Sequence, residues 1–134
     1  MSTPLQKAFE AWQRSETDEN YRNVVNEVHT LIRQDAMVFI NGLPMYDKEN
    51  RVDPMGINGP DGLFYMIVFA EEQQLKKGKF DHPAKAGIRD LIKAMWMNRQ
   101  CGGICINYAP GEKVPLIPKK TLVRMWSGSL EEKQ

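Results

Sequence analysis

Apolar positions recur along this chain in two rhythms, one helical and one extended. Leu5, Ala8, Phe9 and Trp12 stand at helical spacing and predict a first helix. Thr3 can cap it, with Pro4 at the first helical position and Gln6 at the third, as in a capping box. Ser15-Glu16-Thr17-Asp18 breaks this helix and caps a second. There Tyr21, Val24, Val25, Val28, Leu31 and Ile32 share one face, opposite Arg22, Asn23, Asn26, Glu27 and Thr30.

The extended rhythm starts at Met37-Val38-Phe39-Ile40, which predicts a short buried strand. Asn41-Gly42 predicts a turn, after which Leu43 to Tyr46 continues as strand. The polar stretch from Asp47 to Gly62 carries two further turn signals, Asn58-Gly59 and Asp61-Gly62. Leu63 to Phe69 has no polar alternation, so both of its faces should be covered at the centre of a sheet. Glu71 to Leu75 predicts a helical turn that ends near Gly78. Pro83 then opens a helix with Ala84, Ile88, Leu91, Ile92 and Met95 on its inner face, closed by Gly102-Gly103 as a C-terminal cap. Ile104-Cys105-Ile106 predicts a third buried strand and Val114 to Ile117 a short edge strand. Pro118 begins a final helix with Leu122, Met125 and Trp126 inward.

These elements predict an α/β protein of the α+β kind, a small mixed sheet of about four or five strands covered by helices, two of them N-terminal. No linker interrupts residues 1–126, which are expected to form a single domain, followed by a polar tail, 127–134, expected to fray.

Composition narrows the function classes. The chain has 134 residues, 42% hydrophobic and 26% charged, proportions of a globular protein rather than a disordered one. Its net charge of +1, with no basic stripe, gives no footing for nucleic-acid binding. No apolar run reaches membrane-spanning length and the N-terminus lacks a signal-peptide plan, so a membrane partner is not expected. Two cysteines without an export signal predict reduced thiols in a cytoplasm.

Candidate chemistry is sparse. Cys101 and Cys105 could suggest a thiol pair or part of a metal site, but zinc needs four ligands at recognisable spacings. Cys105 falls in a buried strand and Cys101 at a predicted helix C-terminus, which disfavours a thiolate; both read as structural. His29 and His82 have no displayed nucleophile nearby in sequence. Asp47, Glu49, Asp53 and Asp61 lack the alternate-ligand pattern of a calcium loop. Gly102-Gly103 follows a helix and precedes a strand, the reverse of a phosphate-binding loop. No catalytic residue, metal ligand or cofactor is assigned.

Two features point instead to surfaces. Met95, Trp96 and Met97 are consecutive, so Trp96 and Met97 lie off the Ile88–Leu91–Met95 stripe. They form either an adaptable apolar patch for a partner or the second side of a doubly buried helix. Lys119 and Lys120 fall in the first turn of the last helix, where the dipole disfavours cations. They are either solvated side chains or a site that gathers an acidic partner segment. Lys76, Lys77 and Lys79 make a shorter basic cluster.

Two stretches, Leu63 to Leu75 (LFYMIVFAEEQQL) and Gly103 to Val123 (GICINYAPGEKVPLIPKKTLV), resemble the N-terminal domain of the SseB (enhanced serine sensitivity) family. The first is similar to that family's central strand leading through a Phe-Thr-Ser turn into a short acidic helix, with Ala70 where Thr is usual. The second is similar to its Gly-hydrophobic-Asn-Pro segment, with Asn107-Tyr108 replacing Asn-Pro. The remaining elements follow the same order, so the resemblance spans roughly Leu5 to Trp126. It implies a bacterial cytoplasmic protein with an α/β fold and no established enzymatic chemistry, in which Phe69 and Asn107 are architectural. It carries over no catalytic residue.

The resulting expectation is a non-enzymatic interaction domain acting through a protein partner or as a homo-oligomer, with Trp96, Met97, Lys119 and Lys120 as the candidate surface. One alternative is a small-molecule-binding or enzymatic domain using the 47–62 loop and Asn107. Another is an immunity-like protein that blocks a toxin.

Overall fold

The computed structural model describes residues 3–44, 52–80 and 82–132. Its elements are α1 (Pro4–Arg14), α2 (Asp18–Gln34), β1 (Met37–Pro44), β2 (Val52–Pro54), β3 (Gly56–Asn58), β4 (Phe64–Val68), α3 (Glu72–Lys77), β5 (Pro83–Gly87), α4 (Ile88–Trp96), β6 (Cys101–Ile106), β7 (Leu116–Pro118) and α5 (Lys119–Glu132). The fold is α+β, and its strands divide into two sheets rather than one. A three-stranded sheet has the order β2-β1-β5 and a four-stranded sheet the order β3-β4-β6-β7. All neighbours are antiparallel except β4 and β6, which run parallel, with α4 in the crossover between them. An isolated bridge between Phe39 and Phe69 stitches the two sheets together.

The first two helices form where the pattern places them. Thr3 Oγ1 accepts from the Gln6 backbone N–H at 3.2 Å, and Thr17 Oγ1 accepts from that of Asn20 at 3.1 Å. The capping box at α1 is only half made, because the Gln6 side chain is buried and turns inward instead of back to Thr3. Asp35 closes α2 in the left-handed conformation, at φ 50°.

β4 sits between β3 and β6, and its two faces serve two cores. Met66 and Val68 join the main cluster with Leu5, Phe9, Val28, Ile92 and Leu122. Ile67 and Phe69 join a smaller one with Leu75 and Cys105. This is why Leu63 to Phe69 shows no polar alternation: a strand covered on both sides has no solvent face.

Several local expectations give way to tertiary structure. Pro83 does not open a helix; Pro83 to Gly87 pairs antiparallel with β1 from Asn41 back to Met37, and α4 begins only at Ile88. Proline is tolerated there because β5 is an edge strand that can start without a donor. Gly102-Gly103 is not a helix cap either, for α4 ends at Trp96 with Met97 as its C-cap, and both glycines lie inside β6. A side chain at Gly103 would collide with the carbonyl oxygen of Ile117 on β7, so this glycine serves strand approach. Cys101 accordingly opens a strand rather than closing a helix. Asn41-Gly42 does not turn the chain, since β1 runs through it to Pro44. Met37, expected in a buried strand, is 60% exposed. Pro118 ends β7, and α5 starts one residue later. That helix runs to Glu132.

The turn signals at Gly59 and Asp61-Gly62 do join β3 to β4, with Gly62 at φ 79°. Of the acidic-loop residues, Asp47 and Glu49 lie outside the described residues. Among the described residues, no helix is long and apolar enough to cross a membrane.

Candidate functional site

α4 and α5 pack side by side and run antiparallel. At one end Lys119 Nζ, at the start of α5, donates to the carbonyl oxygens of Met95 (3.4 Å) and Asn98 (3.2 Å) at the end of α4. Further along, Lys93 Nζ lies 5.8 Å from the centroid of the Trp126 ring, within cation–π range. Between the helices is a groove of about 480 Å³ lined by Ile92, Lys93, Trp96, Met97, Val123, Trp126 and Ser127.

The sequence accounts for both walls. On α4, Ile88, Leu91, Ile92 and Met95 take the buried stripe, which leaves Trp96 and Met97 on the outer side. Trp96 is 63% exposed and Met97 83% exposed. On α5, Leu122 is buried, and Val123 and Trp126 are turned partly toward the groove. The indole Nε1 of Trp126 is buried and has no hydrogen-bond partner among the described residues. Among the described residues, no carboxylate lines the groove and Lys93 is its one charged lining residue.

The structure brings Trp96 and Met97 together in this groove and sets Lys119 and Lys120 at the α5 end of it. Lys119 is half-buried and occupied with the α4 carbonyls, which explains a cation in the first turn of α5: it caps a neighbouring helix's C-terminus, where positive charge is favoured. Lys120 is exposed. Trp126, expected to face inward, does pack against the main core, and it is also the second wall of the groove, which its sequence position does not announce. A stripe of Val123, Trp126 and Ser127 on α5 was visible, but only tertiary packing shows that it faces α4.

The other candidate residues are spent on architecture. Asn107, 1% exposed and at φ 56°, accepts the Ala70 backbone N–H at 2.9 Å and donates to Gln6 Oε1 at 2.8 Å. Its own backbone N–H donates to the Val68 carbonyl at 2.9 Å. Asp61 accepts from the Tyr65 hydroxyl at 2.7 Å and the Leu63 backbone N–H at 3.0 Å, which holds its carboxyl below the usual range. Burial, then the Asp61 contact, pushes the Tyr65 hydroxyl up to about 12. Both cysteines are buried; desolvation raises the Cys101 thiol and pushes that of Cys105 up to about 12, the opposite of a reactive thiolate. His82 gives its backbone N–H to Asn41 Oδ1. No cluster of three or more His, Cys, Asp or Glu that could hold a metal occurs among the described residues.

Comparisons with protein-family models, with curated proteins and with solved structures find no match to this chain.

Proposed function

We propose that this chain is a non-enzymatic interaction domain, resembling the SseB N-terminal domain, that docks a protein partner in the α4–α5 groove inside the cytoplasm. One observation carries the reading: two large apolar side chains, Trp96 and Met97, stand exposed at 63% and 83% on the rim of a groove already walled by Val123 and Trp126. Contiguous apolar surface of this kind is costly to leave in water and marks interaction sites. Tryptophan and methionine supply large contact area and adaptable packing, the qualities that partner surfaces use. The buried Trp126 Nε1 adds a donor that an incoming acceptor could satisfy.

The test is a double substitution, Trp96→Gln with Met97→Gln, in the full chain. The melting temperature should stay close to that of the native protein, because both side chains already face solvent. Capture of a stoichiometric protein partner from host lysate should be lost. Collapse of the fold, or undiminished capture by a folded variant, would remove the reading.

A further inference from the structure

We infer that the partner received by the α4–α5 groove is an amphipathic helix whose apolar stripe is flanked by carboxylates. This rests on the reading of the groove as a protein-docking surface and names the chemistry of what docks there. Shape and charge together point to it.

The groove runs between two antiparallel helices, a shape that a third helix fills by setting its ridge of side chains between theirs. An extended segment suits it poorly. The backbone N–H and C=O groups of both walls are spent within α4 and α5, so a strand laid between them would leave its own groups unpaired. A helix arrives with its backbone already bonded. The floor is apolar, made of Ile92, Trp96, Val123 and Trp126. It calls for apolar side chains at helical spacing on the occupant, as in helix-in-groove recognition. A lipid surface would also accept exposed aromatic and basic side chains, but it is flat and would leave the floor of a groove uncovered.

Cations edge this floor on both sides. On the α4 side exposed Lys93 lines the groove, with its ammonium over the Trp126 ring. On the α5 side Ser127 lines the groove, and Lys120, two turns earlier, falls on the same line of the helix, about 10 Å along it. Lys120 is exposed, as is Arg124 just outside that line. Among the described side chains of α4 and α5, Asp90 is the one carboxylate. It stands in the first turn of α4 and is folded toward Gly87, where an added Cβ would lie 3.1 Å from its Oδ2. There it complements the positive end of the helix. The Trp126 Nε1–H is a further donor, buried and without an acceptor among the described residues. Lys93, Lys120 and this N–H all call for acceptors. An apolar floor edged by cations matches a helix with acidic residues on either side of its apolar stripe, the pattern by which flanking charges choose partners between paired helices.

Selection from a displayed peptide library against the full chain tests this. The peptides are about sixteen residues long, roughly four helical turns, with leucine fixed at helical spacing and the other positions varied. Selected peptides should carry Asp or Glu on both sides of the leucine stripe, and Trp96→Gln with Met97→Gln should abolish their binding. Lys93→Glu with Lys120→Glu should weaken the best peptide at least about tenfold, with the melting temperature showing that this variant is folded. The same peptide with its acidic residues changed to lysine should bind that variant more tightly than it binds the native chain, a reversal that a merely structural role for the two lysines would not produce. Neutral or basic peptides among the selected ones, no selected peptide at all, or undiminished binding by the folded lysine variant overturns the proposal. So does binding to phosphatidylglycerol vesicles, lost with Trp96→Gln and Met97→Gln, in place of any acidic peptide. If no acidic helix is selected and yet the Trp96→Gln, Met97→Gln chain loses a protein captured from lysate, the docking reading stands and the acidic helix alone is withdrawn.

Discussion

Around Asn107, buried polar groups are satisfied within the chain; around Trp126, a buried donor finds no acceptor among the described residues. The Asn107 carboxamide takes the Ala70 N–H and gives to Gln6, whose amide in turn donates to Glu10 at 3.2 Å, so one side chain ties α1, the end of β4 and the end of β6. At the α4–α5 groove the indole N–H of Trp126 is buried without an acceptor among the described residues, while Trp96 and Met97 stand in solvent. The first region is complete in a single chain. The second has a donor unmet among the described residues and an exposed apolar pair on the groove rim.

Substitutions should separate the two regions by size of effect. Asn107→Ala leaves the Ala70 N–H and the Gln6 carbonyl buried without partners and places alanine at positive φ. A loss of about 2–4 kcal/mol is expected in urea denaturation. A loss below about 1 kcal/mol would mean that water enters the site and that the contrast is weaker than drawn. Lys119→Met removes the cation from the α4 carbonyls and should cost about 0.5–1 kcal/mol, read as a shift of the urea midpoint. Trp96→Gln with Met97→Gln should change stability by about 0.5 kcal/mol or less, because the native residues are exposed and glutamine adds no charge at the α4 C-terminus. A large loss there would show that the groove is core and break the comparison.

Asp61 and Tyr65 offer the finest test. The Asp61 carboxyl titrates below its ordinary value of 3.8 in the folded chain, so its contribution is present above that pH and fades as pH falls through the folded value. Tyr65 is raised from 10.0 to about 12, so its contribution holds below pH 10 and is lost as pH rises toward 12. Asp61→Asn should flatten the acid limb of the stability–pH curve and also reduce the loss along the alkaline limb, which still begins near the unfolded tyrosine value of 10.0. Urea midpoints measured across both limbs check the two signs together.

Much of this was legible in the residues. Helical spacing located α1 and α2, and the Thr3 and Thr17 caps lie where cap chemistry placed them. The unbroken apolar run at β4 announced a strand with two covered faces. Met95-Trp96-Met97 could not all face one core, and the exposed pair is the pair off the buried stripe.

Elsewhere, local signals were overruled by partners distant in sequence. Pro83-Ala84-Lys85-Ala86-Gly87 carries no strong strand signal, and it is extended because β1 presents an edge that its backbone can complete. Gly102-Gly103 has the composition of a helix cap, and its strand role follows from the nearness of Ile117 and Tyr65. Trp126 is apolar and at core spacing, and only the packing of α5 beside α4 made it a groove wall. The sequence by itself determined which stretches can bury a face, because periodicity and capping act within a few residues. Which faces meet, and which one is left uncovered, was decided by contacts between residues far apart in the chain, and no local pattern encodes those.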